Sequence, residues 1–195
     1  MSKGRMEAFS DGVIAIVITI MVLEMKIPHG GDLADLAALT PVFISYVLSF
    51  VYVGIYWNNH HHMLHATQHV NGTILWANLH LLFWLSLIPF VTGWMGENHF
   101  PAWPVAMYGV VLMLCAIAYY ILYRVLIRHH GPNSALASAV GIDRKGQTSI
   151  TLYAVAIPLS FINQWLALSL YVLVALMWFI PDRRVEKNIH SRMPK

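Results

Sequence analysis

Two carboxylates and a hydroxyl group lie at the start of a hydrophobic segment near the N-terminus. The run from Gly12 to Leu23 contains no charged residue, whereas Glu7, Ser10 and Asp11 fall in or just before its first turns. A carboxylate at the edge of a membrane-spanning helix is energetically costly, and it usually faces protein or water and has a partner. The segment therefore predicts a polar site built against the first helix.

The same helix is predicted to present two different faces. On a wheel of 100° per residue, Ile16, Ile20 and Leu23 fall within about 60° of one another, and Thr19 borders that face. Ser10 and Asp11 lie about 120–140° from Ile16 on this wheel. The pattern predicts an aliphatic face with one hydroxyl group, and a polar patch that points elsewhere. By itself, such a face is expected to pack on neighbouring helices or on lipid.

A second polar group lies in the next two apolar runs. Among the histidines between His60 and His69, several are four residues apart, which can place metal ligands on one helical face. No Cys, Asp or Glu accompanies them between Gly54 and Met95. The histidines also fit an interfacial position, or a hydrogen-bond network that offsets the cost of Asp11 near the membrane. The candidate members of that network are Trp57, Asn58, His60, Asn78 and His80.

The elements that carry these residues are predicted to be transmembrane helices. The chain of 195 residues is 58% hydrophobic and 11% charged, whereas a soluble domain has about 25% charged residues. A span needs about 20 apolar residues, with a lower limit of about 17. Six apolar runs are present, at about residues 6–27, 40–60, 73–95, 104–127, 148–163 and 164–180. Residues 1–195 are therefore predicted to form one six-span, all-α membrane domain.

The last two runs are short, and only Asn163-Gln164 separates them. A tight helical hairpin is the preferred interpretation, and a re-entrant element formed by residues 148–180 is the alternative. Placing both termini in the cytoplasm puts every Lys and Arg except Lys26 on the cytoplasmic side. Such a strong bias follows the positive-inside rule. Four carboxylates gather on the outer side, namely Glu24, Asp32, Asp35 and Glu97.

Several classes of function have no support in the sequence. There is no P-loop, no dinucleotide-binding glycine pattern and no Gly-x-Ser-x-Gly elbow, and neither an enzyme activity nor a cofactor is predicted. The single cysteine, Cys115, lies within the fourth run and is expected to be a small core residue. The net charge of +3 resides in the inner loops and tail. It indicates topology and contact with membrane lipid, and it does not suggest nucleic acid.

The pattern Arg5…Phe9-Ser10-Asp11, followed by an Ile/Val-rich helix with Thr19, resembles the signature of the family of the endosomal and lysosomal potassium channel transmembrane protein 175. The length and the six runs resemble those of its prokaryotic members. This resemblance implies a homotetramer in a bacterial or archaeal cell membrane, with the first helices around a central pore. It also implies that the Phe-Ser-Asp motif supports the pore helix from behind.

By the same resemblance, Ile16 is expected to form a hydrophobic constriction, with Ile20 and Leu23 as further rings. Thr19 is expected to form a hydroxyl layer that favours potassium. A ring of aliphatic side chains gates a pore by dewetting, and hydroxyl oxygens replace part of the hydration shell of an ion. The alternative is a proton-coupled or other secondary transporter, which needs an ionisable site near the membrane centre. His80 is the only candidate there, and no internal repeat is evident.

Overall fold

The computed structural model describes residues 2–67, 69–131 and 144–179, and all regular structure in them is helical. The helices in chain order are α1 (Lys3–Leu23), α2 (Leu33–Ala37), α3 (Thr40–His65), α4 (Gly72–Leu85), α5 (Ile88–Glu97), α6 (Ala102–His130), α7 (Arg144–Leu159) and α8 (Gln164–Phe179). An all-helical fold is thus confirmed. The C-terminal tail, with its five basic residues, lies outside the described part of the chain.

Four helical segments of the described chain are long and apolar enough to cross a membrane. They are Lys3–Leu23, Thr40–His65, Gly72–Glu97 and Ala102–His130, and Gln164–Phe179 is a shorter apolar helix. The first four predicted runs coincide with these segments. The fifth run, predicted at about residues 148–163, corresponds to α7, which begins earlier, at Arg144, and ends earlier, at Leu159.

The third predicted run is a single apolar segment but not a single helix. It bends after Leu85, and α5 begins at Ile88 with Pro89 in its first turn. Proline has no N–H group, so Pro89 cannot bond to the Leu85 carbonyl, and this favours a break there. The boundary before α8 was predicted at the correct residue. The Asn163 side chain accepts hydrogen bonds from the backbone N–H groups of Trp165 and Leu166, at 2.9 and 3.3 Å, and caps α8.

Buried tyrosines join the helices in the centre of the subunit. The Tyr52 hydroxyl on α3 donates to the Tyr171 carbonyl of α8 at 2.6 Å, and the Tyr171 hydroxyl donates to the Val105 carbonyl of α6 at 3.2 Å. The rings of Tyr108 and Tyr153 pack against the same pair. A buried phenol needs a hydrogen-bond partner, so these contacts fix α3, α6 and α8 relative to one another.

The outer ends of α3 and α5 are in close contact at Gly96. A Cβ atom at this position would lie 2.8 Å from the Val42 Cα and would also meet the Ser45 side chain. Only glycine allows the two backbones to come this near. This contact places Glu97, the last residue of α5, beside the outer end of α1.

Candidate functional site: the first helix and its supports

One face of α1 is not covered by any other described part of the chain. Ile16 is 59% exposed, Ile20 40% and Leu23 74%, and Thr19 lies exposed between them. The opposite face packs against α3, α4 and α5 through Met6, Ser10, Ile14, Val17 and Met21, all of them buried. The aliphatic face predicted from the sequence is therefore the face that the rest of the subunit leaves uncovered.

Thr19 is oriented so that its oxygen is available to a ligand. Its hydroxyl group donates to the Ala15 carbonyl one turn earlier, at 2.9 Å. Because the single proton is used within the helix, the lone pairs of Oγ1 remain directed away from the backbone. An oxygen in this state accepts a hydrogen bond or coordinates a cation.

Behind α1, a buried chain of hydrogen bonds crosses three helices. The Asn78 amide on α4 donates from Nδ2 to Ser10 Oγ at 2.9 Å, and Ser10 Oγ donates to the Met6 carbonyl at 2.8 Å. Asn78 Oδ1 lies 2.7 Å from His60 Nε2 on α3. Since Oδ1 can only accept, His60 carries its proton on Nε2 when it is neutral. We call Ser10, Asn78 and His60 the brace.

The brace has one unsatisfied atom. His60 is buried, and its Nδ1 has no hydrogen-bond partner among residues 2–67, 69–131 and 144–179. All other polar side-chain atoms of the brace are bonded, so removing any one of its members would leave another buried polar group without a partner.

A second set of contacts joins α1 to α3 at the cytoplasmic end predicted for both helices. Asp11 Oδ1 accepts from Trp57 Nε1 at 3.1 Å, Glu7 Oε1 lies 3.3 Å from His61 Nδ1, and Lys3 Nζ donates to the His65 carbonyl at 3.1 Å. The partners advance by four residues on each helix, in opposite directions. Both helices thus present one stripe to the other, as the helical repeat requires. Both carboxylates, Glu7 and Asp11, therefore have a partner on α3.

Sequence reasoning missed the contacts of Glu7 and Lys3. It treated the i,i+4 spacing of His61 and His65 as a feature of α3 alone. Lys3, Glu7 and Asp11 on α1 have the same spacing, and this was the signal that could have revealed the contacts between α1 and α3.

Two of the five candidate partners do not reach the motif. Asn58 is exposed and makes no side-chain hydrogen bond within the described residues, and His80 Nε2 accepts from Trp84 Nε1 at 2.9 Å on the exposed side of α4. Of the five candidates, the contacts with the motif are made by Trp57 and Asn78, and His60 joins them through Asn78. Asn58 and His80 each lie two residues from a buried member, His60 and Asn78 respectively. Two residues along a helix rotate a side chain by about 200°, so Asn58 and His80 point away when His60 and Asn78 point inward.

Two residues of the signature also lie outside the brace. Arg5 is exposed, and Phe9 is 50% exposed on the same side of α1 as Ile16. Neither forms a hydrogen bond or ion pair with another described residue. The resemblance suggested that Arg5 and Phe9 help to support the first helix, but no polar contact among the described residues gives them that role.

The histidines do not assemble into a metal site within the described residues, where no group of three metal-ligating side chains is found. His61 stacks between Trp57 and His65, with ring centroids 6.2 Å from each. His69 donates its backbone N–H to His130 Nε2 at 3.3 Å. His61 joins α3 to α1, and the His130 imidazole joins α6 to the connection between α3 and α4, so these groups do not converge on a common point.

Comparison with known proteins gives the family. A family model described as "Endosomal/lysosomal potassium channel TMEM175" matches residues 5–89, the region that holds the motif, Trp57 and the whole brace. A potassium channel of Chryseobacterium sp. (strain P1-3) is 55% identical over 189 residues, covering 97% of this chain and 98% of the relative. The chain belongs to the TMEM175 family. The resemblance drawn from the first helix is confirmed.

The similarity to TMEM175 proteins extends to the fold and, over a shorter region, to animals. The crystal structure of a lysosomal potassium-selective channel TMEM175 homologue from Chamaesiphon minutus has a TM-score of 0.79 and 28% identity, covering 91% of this chain and 96% of that chain. The human endosomal/lysosomal proton channel TMEM175 is 38% identical over 96 residues, which cover 43% of this chain and 19% of the human protein. The fold of the Chamaesiphon minutus homologue is therefore shared over 91% of this chain, whereas the match to the human protein covers less than half of it.

Proposed function

We propose that this chain is one subunit of a homotetrameric channel that conducts potassium passively across a bacterial or archaeal cell membrane. The observation that carries the proposal is the division of α1 into two faces. One face packs against three other helices, and the opposite face, with Ile16, Thr19, Ile20 and Leu23, contacts no other element in the described part of the chain. Four copies arranged around an axis would give those faces a shared lumen.

The chemistry of this face fits selective passage of a monovalent cation. Four Ile16 side chains would meet near the axis and oppose wetting of the pore, with Ile20 and Leu23 forming two further apolar rings. Four Thr19 oxygens would replace part of the hydration shell of potassium as it passes. A hydroxyl ring is a looser cage than stacked carbonyl rings, so we expect moderate selectivity for potassium over sodium.

Both termini are proposed to lie in the cytoplasm, with six spans formed by α1, α3, the α4–α5 segment, α6, α7 and α8. The support is the distribution of Lys and Arg along the sequence, together with the four long apolar segments and the shorter α8. In this arrangement the contacts of Lys3, Glu7 and Asp11 with α3 lie at the inner end of the pore helix, and Glu24 lies at its outer end.

Potassium flux into proteoliposomes tests the proposal. We expect the purified protein to pass potassium down an imposed gradient with no second ion present, and native mass spectrometry in mild detergent to give a tetramer. A secondary transporter would require a proton or sodium gradient for net movement. A stable monomer would overturn the proposal, because one α1 cannot enclose a pore.

Thr19→Val is expected to lower the preference for potassium several-fold while the channel still conducts. Valine keeps the shape of the side chain but removes the oxygen, and Thr19 carries the only side-chain hydroxyl between Asp11 and Pro28. The measurement is the reversal potential with potassium on one side and sodium on the other, which should shift toward zero. Thr19→Ser keeps the hydroxyl and should retain most of the selectivity. An unchanged reversal potential in Thr19→Val would remove Thr19 from the filter.

A further inference from the structure

The outer end of α1 carries a carboxylate, Glu24, that has no ion-pair partner among the described residues. Glu24 directly follows Leu23, the last residue of the helix, and its side chain is exposed. No basic side chain in residues 2–67, 69–131 and 144–179 forms an ion pair with it. Glu24 also lines a cleft of about 290 Å³ between the end of α1, the start of α3 and the end of α5.

The one ammonium group in this cleft is already neutralised. Lys26 Nζ lies 2.9 Å from Glu97 Oε1; the Lys26 side chain is largely exposed and the Glu97 side chain is less than half exposed. The hydrogen bond and the charge of Glu97 raise the pKa of Lys26, so the ammonium form persists and its charge stays matched to that carboxylate. His99 is the remaining titratable group of the cleft. The net charge beside the end of α1 is therefore that of Glu24.

The backbone adds to this negative potential. The C-terminus of a helix carries a partial charge of about −0.5, because its last carbonyl groups lack helical partners. The α1 helix ends at Leu23, one residue before Glu24. Helix end and carboxylate therefore have the same sign at the same place, and the charge of Glu24 helps to raise the pKa of the nearby Lys26.

We propose that Glu24 concentrates cations at the outer mouth of the pore. The inference rests on the tetramer of the proposed function, in which four Glu24 carboxylates and four helix ends surround the outer entrance. A ring of acidic side chains at a cation pore attracts the permeant ion through space and raises its local concentration. The Lys26–Glu97 pair prevents an opposing positive ring. Glu24 acts on the rate of ion entry, while Thr19 acts on the choice of ion.

Single-channel recording at two salt concentrations tests this role. Glu24→Gln should reduce inward potassium current by about twofold to fivefold at an ionic strength of about 0.01 M, where the Debye length is about 30 Å. At about 1 M the Debye length is about 3 Å, and the variant should match the wild-type channel. The recordings are made at pH 8, where ordinary imidazole groups are neutral.

Matched variants separate an electrostatic effect from a structural one. Glu97→Gln should also reduce inward current at low salt, because it leaves the charge of Lys26 unmatched, and Lys26→Gln combined with Glu97→Gln should restore it. Asp35→Asn removes a carboxylate that is held in the capping box of α2 and is not part of the cleft, and it should have a smaller effect than Glu24→Gln.

A cysteine at the site gives a test within one folded protein. Glu24→Cys can be modified selectively because Cys115, the only native cysteine, is fully buried. A sulfonate-bearing thiol reagent should restore low-salt current, and a trimethylammonium reagent should lower it further. Equal losses at both salt concentrations, or no loss in Glu24→Gln, would overturn this inference alone. An absence of wild-type potassium current would overturn the proposed function as well.

Discussion

Ile16→Asn is expected to raise the single-channel conductance severalfold and to reduce selectivity. In the tetramer proposed above, four Ile16 side chains form the narrowest apolar ring and oppose hydration of the lumen. Asparagine is of similar size but offers an amide to water, so the ring would wet more readily. Ile16→Ala should act in the same direction through width alone. The measurement is unitary current in symmetrical potassium, in protein first verified as a tetramer.

Ile44→Asn is the matched control for that experiment. Ile44 is an isoleucine of similar exposure, 53% against 59% for Ile16, but it lies on α3 rather than on the face of α1. A polar amide there would impair membrane insertion at a modest cost and leave the unitary conductance unchanged. If Ile16→Asn gave the same result as Ile44→Asn, Ile16 would face lipid and the proposed pore lining would be incorrect.

Asn78→Leu is expected to destabilise the protein by about 1–3 kcal/mol, because it leaves the buried His60 Nε2 without a hydrogen-bond partner while Ser10 Oγ keeps its bond to the Met6 carbonyl. The change removes both the donor to Ser10 Oγ and the acceptor for His60 Nε2. The face of α1 behind the pore would lose its only side-chain hydrogen bond to α4 within the described residues. We expect a lower yield of tetramer and a lower free energy of unfolding in bicelles, with selectivity retained in the channels that assemble.

Two further variants make this prediction specific to the brace. His60→Leu combined with Asn78→Leu should be less destabilised than the sum of the single changes, because the unpaired imidazole is removed with its acceptor. Asp11→Asn should cost less than Asn78→Leu, since the Asp11–Trp57 bond is exposed and an amide oxygen can still accept from the indole. Strictly additive free energies, or wild-type stability in Asn78→Leu, would contradict a stabilising role for the brace.

The sequence determined the character of α1 and the family. The helical repeat alone places Ser10 on a different side of α1 from Ile16, Thr19, Ile20 and Leu23. In the structure Ser10 is buried and the other four residues are exposed. The Asn163-Gln164 boundary was also legible, because Asn is a preferred N-cap residue. The signature around Phe9-Ser10-Asp11 sufficed to indicate the TMEM175 family.

The tertiary structure decided which residues of neighbouring helices meet α1. It selected His60 over Asn58 and Asn78 over His80, paired Glu7 with His61, and divided the third run at Ser86-Leu87. The sequence could not make these choices because lipid is as apolar as a helix interface in a membrane protein. Each of these helices is hydrophobic around most of its circumference. Hydropathy alone therefore does not predict which residues face a neighbouring helix and which face lipid. The rotation of each helix about its own axis is fixed by a few buried hydrogen bonds between helices, and these exist only once the helices are packed.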